Sequence, residues 1–210
     1  MSKVKICGLT RNVDIEYVNK YLPDYIGFVF AASRRQVNAD DALKLSNSLD
    51  KWIKKAGVFV NHRIDEVLNI TSVCGLDIIQ LSGDEDFEYV KKLKSKVRSK
   101  VEIWKAIRIK DETSLSNAEL FDADGILLDA YAGNSYGGSG KSFDWTIAAQ
   151  ASKKFKIILA GGLGCTKVKQ AIEIVNPFAV DVSSGVETDG YKDETKIKEF
   201  IVKARFKQVQ

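Results

Sequence analysis

The chain has 210 residues, of which 45% are hydrophobic and 29% charged, a composition typical of a globular protein. Its formal net charge of +4 is too small to indicate nucleic-acid binding by itself, and its single histidine argues against a conventional zinc site. Three widely spaced cysteines argue against a disulfide framework, and no apolar run is long enough to cross a membrane.

The ends and linkers of the chain indicate one simple unit. The opening MSKVKICG leads directly into a predicted strand and shows no signal peptide, so we expect a cytoplasmic protein. No Pro-rich or low-complexity linker divides the chain, so we expect a single domain over 1–210. The basic runs 91–100 and 196–207 are typical of solvated helix faces.

Eight short apolar segments rich in β-branched residues recur along the chain. Several are apolar almost throughout rather than alternating, which favours strands covered on both faces. The predicted strands span 3–9, 25–30, 56–60, 77–83, 102–109, 125–130, 156–162 and 179–185.

Helical patterns separate these strands, with apolar residues three and four positions apart. Start signals support two of them: Asp144 precedes the segment WTIAAQ, and Asn38 and Asp40 precede the second helix. The predicted helices span 13–22, 41–49, 64–73, 86–95, 168–175 and 194–204, with weaker patterns at 113–120 and 144–151.

The alternation of eight strands with eight helices predicts an α/β protein that forms one (β/α)8 barrel. The competing fold is an open doubly wound sheet. The count of eight, and the absence of a G-x-G-x-x-G turn after the first strand, favour the barrel. Active sites of such barrels lie where the strands end.

Several reactive side chains lie at or just after the ends of the predicted strands. Cys7 ends strand 1, Asp129 ends strand 6, and Arg35 lies in the loop after strand 2. Further polar side chains end strands 4 and 8. They are Gln80, Ser82, Asp181, Ser183 and Ser184.

Two loops of small residues follow strands 7 and 8, namely LAGGLG (159–164) and VSSGVE (182–187). Glycines allow the backbone to approach an anion, and exposed N–H groups can bind it. Because the loops after strands 7 and 8 often bind phosphate in these barrels, the sequence predicts a phosphate site there.

Specific motifs also occur in a fixed order. They are KICGLTR (5–11), SRRQV (33–37), QLSGDE (80–85), ILLDA (126–130), GGSGKSFDW (137–145), LAGGL (159–163), DVSSGVE (181–187) and GYKDETKIKEF (190–200). Over nearly its whole length the chain resembles the phosphoribosylanthranilate isomerases of tryptophan biosynthesis.

The resemblance implies a (β/α)8 barrel that performs an Amadori rearrangement, an aldose–ketose isomerisation, with no cofactor and no metal. The implied substrate is N-(5-phosphoribosyl)anthranilate, and the product is 1-(2-carboxyphenylamino)-1-deoxyribulose 5-phosphate. The expected partner is therefore a small phosphosugar, not nucleic acid or membrane. We expect a monomer, because no exposed apolar stripe is evident in the sequence.

The family motifs also imply roles for individual residues. Cys7 matches the general base, Asp129 the general acid, and Arg35 the arginine that binds the anthranilate carboxylate. Residues that match the phosphate cradle are Gly161, Gly162, Ser184 and Gly185. Residues expected either to contact substrate or to order the site are Gln80, Asp181 and Ser183.

One position departs from the family pattern. The family commonly has Q-L-H-G after strand 4, whereas this chain has QLSG, with Ser82 in place of histidine. This puts a substrate contact from Ser82 in doubt and leaves open a pseudoenzyme that only binds phosphosugars. Arg34 is a second candidate to bind the anthranilate carboxylate, but the spacing to Val37 favours Arg35.

The sequence also bears on three alternative functions. Indole-glycerol-phosphate synthase has a similar fold but needs catalytic lysine and glutamate residues in the barrel. Ribulose-phosphate epimerase needs metal-binding histidines, which one histidine cannot supply. A non-enzymatic module could bind nucleic acid through the basic helices, and its binding would then depend strongly on salt.

The chemistry sets requirements on the two reactive groups. Opening the ribose ring needs a neutral carboxyl group, and Asp129 follows the apolar segment GILL, so burial is expected to raise its pKa. Removing the C2 proton needs a thiolate. Lys5 shares a strand face with Cys7 and is expected to lower the thiol pKa.

A glycine-containing loop follows the sixth predicted strand. The loop 131–143 contains Gly133, Gly137, Gly138 and Gly140, is long for a βα loop, and is expected to cover bound substrate.

Other single residues are given structural interpretations. His62 is expected in a surface loop, and Cys74 and Cys165 in structural positions. Trp52, Trp104 and Trp145 are expected to be packing residues. Trp104, on the fifth strand, is also a candidate to reach the barrel mouth.

Overall fold

The computed structural model describes residues 1–130 and 144–206. Eight parallel strands pair in chain order, and the last pairs with the first, so the sheet closes into a barrel. The predicted barrel is confirmed, and the open sheet is excluded. The strands are β1 (Lys3–Cys7), β2 (Tyr25–Val29), β3 (Lys54–Phe59), β4 (Ile78–Leu81), β5 (Glu102–Ile109), β6 (Gly125–Ala130), β7 (Ile157–Leu159) and β8 (Ala179–Val182).

α-Helices follow every strand except β5 within the described ranges. The start signals predicted at Asn38 and Asp144 are confirmed, since Asn38 accepts the N–H of Asp41 and Asp144 accepts that of Thr146. Asp40, also expected before the second helix, lies in its first turn. The helices are α1 (Asn12–Tyr21), α2 (Ala39–Ser46), α3 (Ile64–Cys74), α4 (Phe87–Lys94), α5 (Trp145–Ala151), α6 (Val168–Val175) and α7 (Glu194–Arg205).

The helix predicted at 113–120 is wrong. Two short 3₁₀ turns, Glu112–Leu115 and Ala118–Leu120, take its place between β5 and β6. The side chain of Ser114 accepts the N–H groups of Lys110 and Asp111. Such local bonds from Ser side chains compete with an α-helix, which explains why the weak apolar pattern does not produce one.

Aspartates fasten the amino-terminal end of the barrel in a repeated way. Asp24, which precedes β2, accepts the backbone N–H of Val4 on β1 at 2.9 Å. Asp77 before β4 and Asp124 before β6 do the same for Lys55 on β3 and Ile103 on β5, each at 2.8 Å. Each carboxylate thereby satisfies a strand-end donor and fixes the register between neighbouring strands.

The interior of the barrel contains a compact apolar cluster near its amino-terminal end. Trp104 is fully buried there, 5.2 Å from the ring of Tyr25, and its indole N–H donates to Glu102. The expectation that Trp104 reaches the barrel mouth is therefore wrong. Trp52, expected to pack, is 78% exposed.

The larger apolar cluster lies between the sheet and the surrounding helices, as the strands with two covered faces predicted. Cys74 is buried within it and donates to the carbonyl of Ala39, which fits its expected structural position. Of the helices that the structure describes, none has both the length and the apolarity to cross a membrane.

A short hairpin follows the barrel. After a 3₁₀ turn at Ser184–Val186, the strands β9 (Glu187–Thr188) and β10 (Tyr191–Lys192) pair antiparallel. Asp189 and Gly190 form the turn, both with positive φ, as the two-residue Asp-Gly hairpin requires. The register places Lys192 opposite Glu187, two charged residues that reach back toward the barrel.

Candidate active site

A cavity of about 590 Å³ opens at the carboxyl ends of the barrel strands. This volume lies in the range of small-molecule sites. Nearly all residues expected at the site from the sequence line this one cavity. They are Cys7, Arg35, Gln80, Ser82, Asp129, Gly161, Gly162, Asp181, Ser183 and Ser184.

The thiol of Cys7 sits in a space left by a glycine on the neighbouring strand. Gly27 pairs with Cys7 in the sheet, and a Cβ on Gly27 would lie 2.6 Å from the Cys7 sulfur. Any side chain at position 27 would therefore displace the thiol. This explains how a strand can end on a buried cysteine that still faces the cavity.

The environment of Cys7 differs from the expectation. Burial raises the pKa of the thiol, while Lys5 and Lys192 act to lower it and Asp181 to raise it further. Burial prevails, so the thiol pKa lies above its usual value, and the expectation that Lys5 brings it down overall is wrong. Lys5 does act to lower the thiol pKa, but its ammonium group also binds Asp181 and Gln80.

Lys5 is fully buried beneath the cavity and organises two of the expected residues. Its Nζ donates to Asp181 Oδ2 and to Gln80 Oε1, both at 2.9 Å. Burial opposes the charge on Lys5, but Asp181 and Cys7 outweigh that effect and raise its pKa, so the ammonium stays charged. Asp181 lines the cavity, and its Oδ1 is buried with no hydrogen-bond partner among the described residues.

Asp129 has the character expected of an acid. Burial raises its pKa to about 6, although the N–H of Ala130 donates to Oδ1 at 2.8 Å and acts against the rise. Asp181 also raises the pKa, whereas Arg108 and Lys5 lower it. The predicted effect of the apolar strand on this carboxyl group is therefore confirmed.

The two small-residue loops meet next to Asp129. Gly161 and Gly162 both have positive φ, and a Cβ on Gly161 would lie 2.8 Å from Asp129 Oδ1. Gly185 does not line the cavity; it lies against the carbonyl of Leu163, so the loops after β7 and β8 touch each other. Two glycine-rich backbones in contact form a concave surface that an anion can approach.

Arg35, in the loop after β2, lines the cavity and binds the carboxylate of Glu187. Its Nε and Nη2 donate to Glu187 at 2.7 and 2.9 Å. Arg34 also reaches Glu187 but does not line the cavity. Of the two arginines that the sequence offered for the substrate carboxylate, Arg35 alone lines the cavity.

Several cavity residues were missed by sequence reasoning. Arg108 pairs with Asp129 in the sheet register and lines the cavity. Its position at an inward-facing site late in β5 was readable from the strand alternation. His62, expected in a surface loop, also lines the cavity and packs edge-on against Phe59 at 5.5 Å.

A buried ion pair supports the loops that carry His62 and Ser82. Lys105 donates to Glu85 at 2.9 Å and to the carbonyl of Gly83 at 2.8 Å. Glu85 in turn accepts the N–H groups of Asn61 and Gly83. The loops after β3 and β4 are thereby joined, which holds this part of the cavity wall in place.

Two remaining expectations concern the loop at 131–143 and metal binding. The loop lies outside the residues that the structure describes. Within 1–130 and 144–206, no group of three or more His, Cys, Asp or Glu side chains could hold a metal ion.

Comparisons with known proteins agree with this geometry. The family model of N-(5'-phosphoribosyl)anthranilate isomerase matches residues 4–203. The isomerase of that name from Acetivibrio thermocellus is 51% identical over 98% of this chain and 96% of its own length. The crystal structure of the Thermotoga maritima isomerase superposes with a TM-score of 0.89 at 38% identity, covering 98% of this chain and 99% of that one.

A further solved structure contains a bound ligand. It is phosphoribosylanthranilate isomerase in complex with reduced 1-(o-carboxyphenylamino)-1-deoxyribulose 5-phosphate, with a TM-score of 0.85 and 35% identity over 98% of this chain and 99% of that one. The match of the family model to nearly the whole chain, together with these relatives, decides the classification. The chain belongs to the N-(5'-phosphoribosyl)anthranilate isomerase family.

Proposed function

We propose that the chain converts N-(5-phosphoribosyl)anthranilate into 1-(2-carboxyphenylamino)-1-deoxyribulose 5-phosphate, a step of tryptophan biosynthesis. One observation carries the proposal: a thiol on β1 and a carboxyl group on β6 with a pKa of about 6 line the same cavity. In the closed sheet, β7 and β8 lie between these two strands. A phosphate bound by their loops would therefore place the sugar between acid and base.

Asp129 is the general acid in this proposal. As the bond between C1 and the ring oxygen breaks, the ring oxygen takes the proton of Asp129, and the nitrogen lone pair forms the C1=N double bond. With a pKa of about 6, about a tenth of the Asp129 side chains are protonated at pH 7. An exposed aspartate would hold a proton far less often, so burial supports this role.

Cys7 is the general base. Its thiolate removes the proton from C2, and the electrons of that bond form C1=C2 and neutralise the iminium nitrogen. The enolamine then becomes the ketone as C1 gains a proton and the C2 hydroxyl loses one. Because burial raises the thiol pKa in the free protein, we propose that the cationic iminium favours the thiolate once substrate is bound.

The two anionic ends of the substrate find different partners in the proposal. The carboxylate binds Arg35, and the phosphate binds the backbone at Gly161 and Gly162 with the turn at Ser184–Val186. Asp181, which lines the cavity, is a candidate acceptor for a sugar hydroxyl. Candidates for further contacts are Gln80 and Ser183.

The activity is tested directly with the purified chain. We expect the fluorescence of freshly made N-(5-phosphoribosyl)anthranilate to decay on adding the protein, and a strain that lacks the isomerase to grow without tryptophan when it expresses the chain. Folded protein that neither accelerates the decay nor restores growth would contradict the proposal. The expectation of a monomer stays a prediction, which light scattering in solution would test.

The neighbouring arginines provide a matched pair of variants. We expect Arg35→Met to raise KM by roughly 100-fold, because a charged partner of the substrate carboxylate is lost in a partly buried site. Arg34→Met also removes a positive charge bound to Glu187. Because the Arg34 side chain is 59% exposed, we expect KM to change by less than about three-fold. Equal effects of the two substitutions on KM would remove Arg35 from its proposed role.

A further inference from the structure

Glu187 has no direct part in the acid–base steps or in the anion contacts proposed above. Its side chain is only 4% exposed, yet it accepts hydrogen bonds from three cationic side chains. These come from Arg35 at 2.7 and 2.9 Å, from Arg34 at 2.7 Å and from Lys192 at 2.6 Å. A carboxylate buried among three cations is strongly held in place.

The contact with Arg35 is side-on. It engages Nε and Nη2 and leaves Nη1 and one Nη2 hydrogen outside the contact. Because the guanidinium is a rigid plane, fixing one edge of it also fixes the direction of the other donors. Arg35 lines the cavity and its side chain is 16% exposed, so these donors belong to the group that meets the substrate.

The hairpin that carries Glu187 is itself attached to the barrel. Lys192, opposite Glu187 in the β9–β10 register, donates to the carbonyl of Ser183 at 3.0 Å. The hydroxyl of Ser183 donates to the carbonyl of Cys7, also at 3.0 Å. A chain of hydrogen bonds therefore runs from the end of β1 through the hairpin to Glu187 and Arg35.

The charge on Glu187 is maintained in this setting. Burial acts to raise its pKa, but the hydrogen bonds from Arg35 and Lys192 outweigh burial and hold the pKa below its usual value. One negative charge among three positive ones leaves an excess of positive charge beside the cavity. Glu187 therefore orients Arg35 without cancelling the attraction of this region for an anion.

We propose that Glu187 is a positioning residue that holds the guanidinium of Arg35 edge-on, so that its remaining donors are directed at the substrate carboxylate. The inference rests on the proposed function, in which Arg35 binds that carboxylate. Glu187 touches no reacting atom; it acts on the substrate carboxylate through Arg35, and its second cationic partner at the site, Lys192, lies near Cys7. Its loss should therefore affect recognition of the carboxylate more strongly than the acid–base steps, which it meets only through Lys192.

Two ligands separate positioning from general structural support. Inhibition constants are measured for a reduced product analogue built on anthranilate and for the same analogue built on aniline, which has no carboxyl group. We expect Glu187→Gln to weaken binding of the anthranilate analogue roughly ten-fold and of the aniline analogue less than two-fold, with KM changed more than kcat. An equal loss for both analogues, or no loss, would overturn the inference.

Further variants make every outcome decisive. Glu187→Asp keeps the charge but shortens the side chain, and it should show the same preference, more weakly, even if Glu187→Gln folds poorly. Glu194→Gln is the control, because Glu194 accepts from Lys20 and Tyr21 outside the cavity, and neither inhibition constant should change.

Arg35→Met distinguishes this inference from the proposed function. If Arg35→Met fails to discriminate between the two analogues, the role of Arg35 in the proposed function is wrong. If Arg35→Met discriminates and the Glu187 variants do not, only the positioning role of Glu187 is wrong. In the Arg35→Met background, Glu187→Gln should add less than about two-fold, since its partner is absent.

Discussion

Asp129→Asn is expected to abolish most of the isomerase activity and at the same time to stabilise the fold. The amide cannot donate a proton to the ring oxygen, and general acid catalysis typically contributes about 10²–10⁴-fold, so kcat should fall by that factor. Asparagine retains an oxygen that can accept the N–H of Ala130, so the local backbone geometry should persist. Steady-state kinetics with a far-UV circular dichroism spectrum would establish the loss on a folded protein.

The stabilisation follows from the direction of the pKa change. Burial raises the pKa of Asp129 from 3.8 to about 6. At neutral pH the folded protein therefore holds an ionised carboxylate in surroundings that disfavour its charge. This costs about 2–3 kcal/mol, which the neutral amide does not incur. The melting temperature at pH 7 should therefore rise by about 4–12 °C for a chain of this size.

The pH dependence of this gain has a definite sign. Between about pH 4 and pH 6 the native wild-type protein binds more protons at Asp129 than the unfolded chain does, so its stability falls as the pH rises through that window. The stability difference between variant and wild type should thus be largest at pH 7 and vanish toward pH 4. A difference that does not depend on pH would show that Asp129 is not held in a charge-disfavouring environment.

An exposed aspartate on the same side of the barrel provides the control. Asp111 accepts the backbone N–H and the hydroxyl of Thr113 in the loop after β5, and the hydroxyl bond is the main cause that lowers its pKa. Removing its charge should leave kcat unchanged and should not stabilise the protein. If Asp111→Asn also raised the melting temperature, the gain at Asp129 would reflect net charge rather than burial.

The barrel was predictable because its signals are local. Strands covered on both faces produce continuous apolar runs, and the end of β6 at Ala130 and the limits of α6 agree with the predicted bounds. The predicted strands 1, 4, 7 and 8 extend two or three residues too far at their ends. Those extra residues form the glycine and serine turns of the cavity, where small side chains allow the chain to leave the sheet.

The acid and base candidates were predictable for the same reason, since each ends a strand. The interactions that surround them were not, because they join residues distant in sequence. Glu187 meets Arg35 across 152 positions, and Lys5 meets Asp181 across 176. The strand alternation correctly placed Lys5 beside Cys7, but only the fold shows that Lys5 also donates to Asp181 and that burial dominates the thiol.

Cys7→Ser is the second substitution with a large expected effect. A serine hydroxyl ionises far less readily than a thiol, so the base that removes the C2 proton is lost, and kcat should fall by about 10²–10⁴-fold. Gly27 leaves room for either side chain, because the oxygen is smaller than the sulfur that already fits. Cys165→Ser is the control: its sulfur lies outside the cavity lining, donates to the carbonyl of Lys196, and should be replaceable with little change in kcat.

The pH profile then identifies the protonation states of both groups. The productive form has a thiolate at Cys7 and a proton on Asp129, although burial raises the pKa of the thiol above that of the carboxyl group. The population of this form rises with pH up to about 6, stays level, and falls above the thiol pKa, so kcat/KM should follow a bell whose acidic limb reports Asp129 and whose alkaline limb reports Cys7. Alkylation of the Cys7 peptide by iodoacetamide, followed by mass spectrometry, should give the same alkaline midpoint, above the usual value for a thiol. An alkylation midpoint below that value would show that the neighbouring lysines outweigh burial, and the thiolate would then be present before substrate binds.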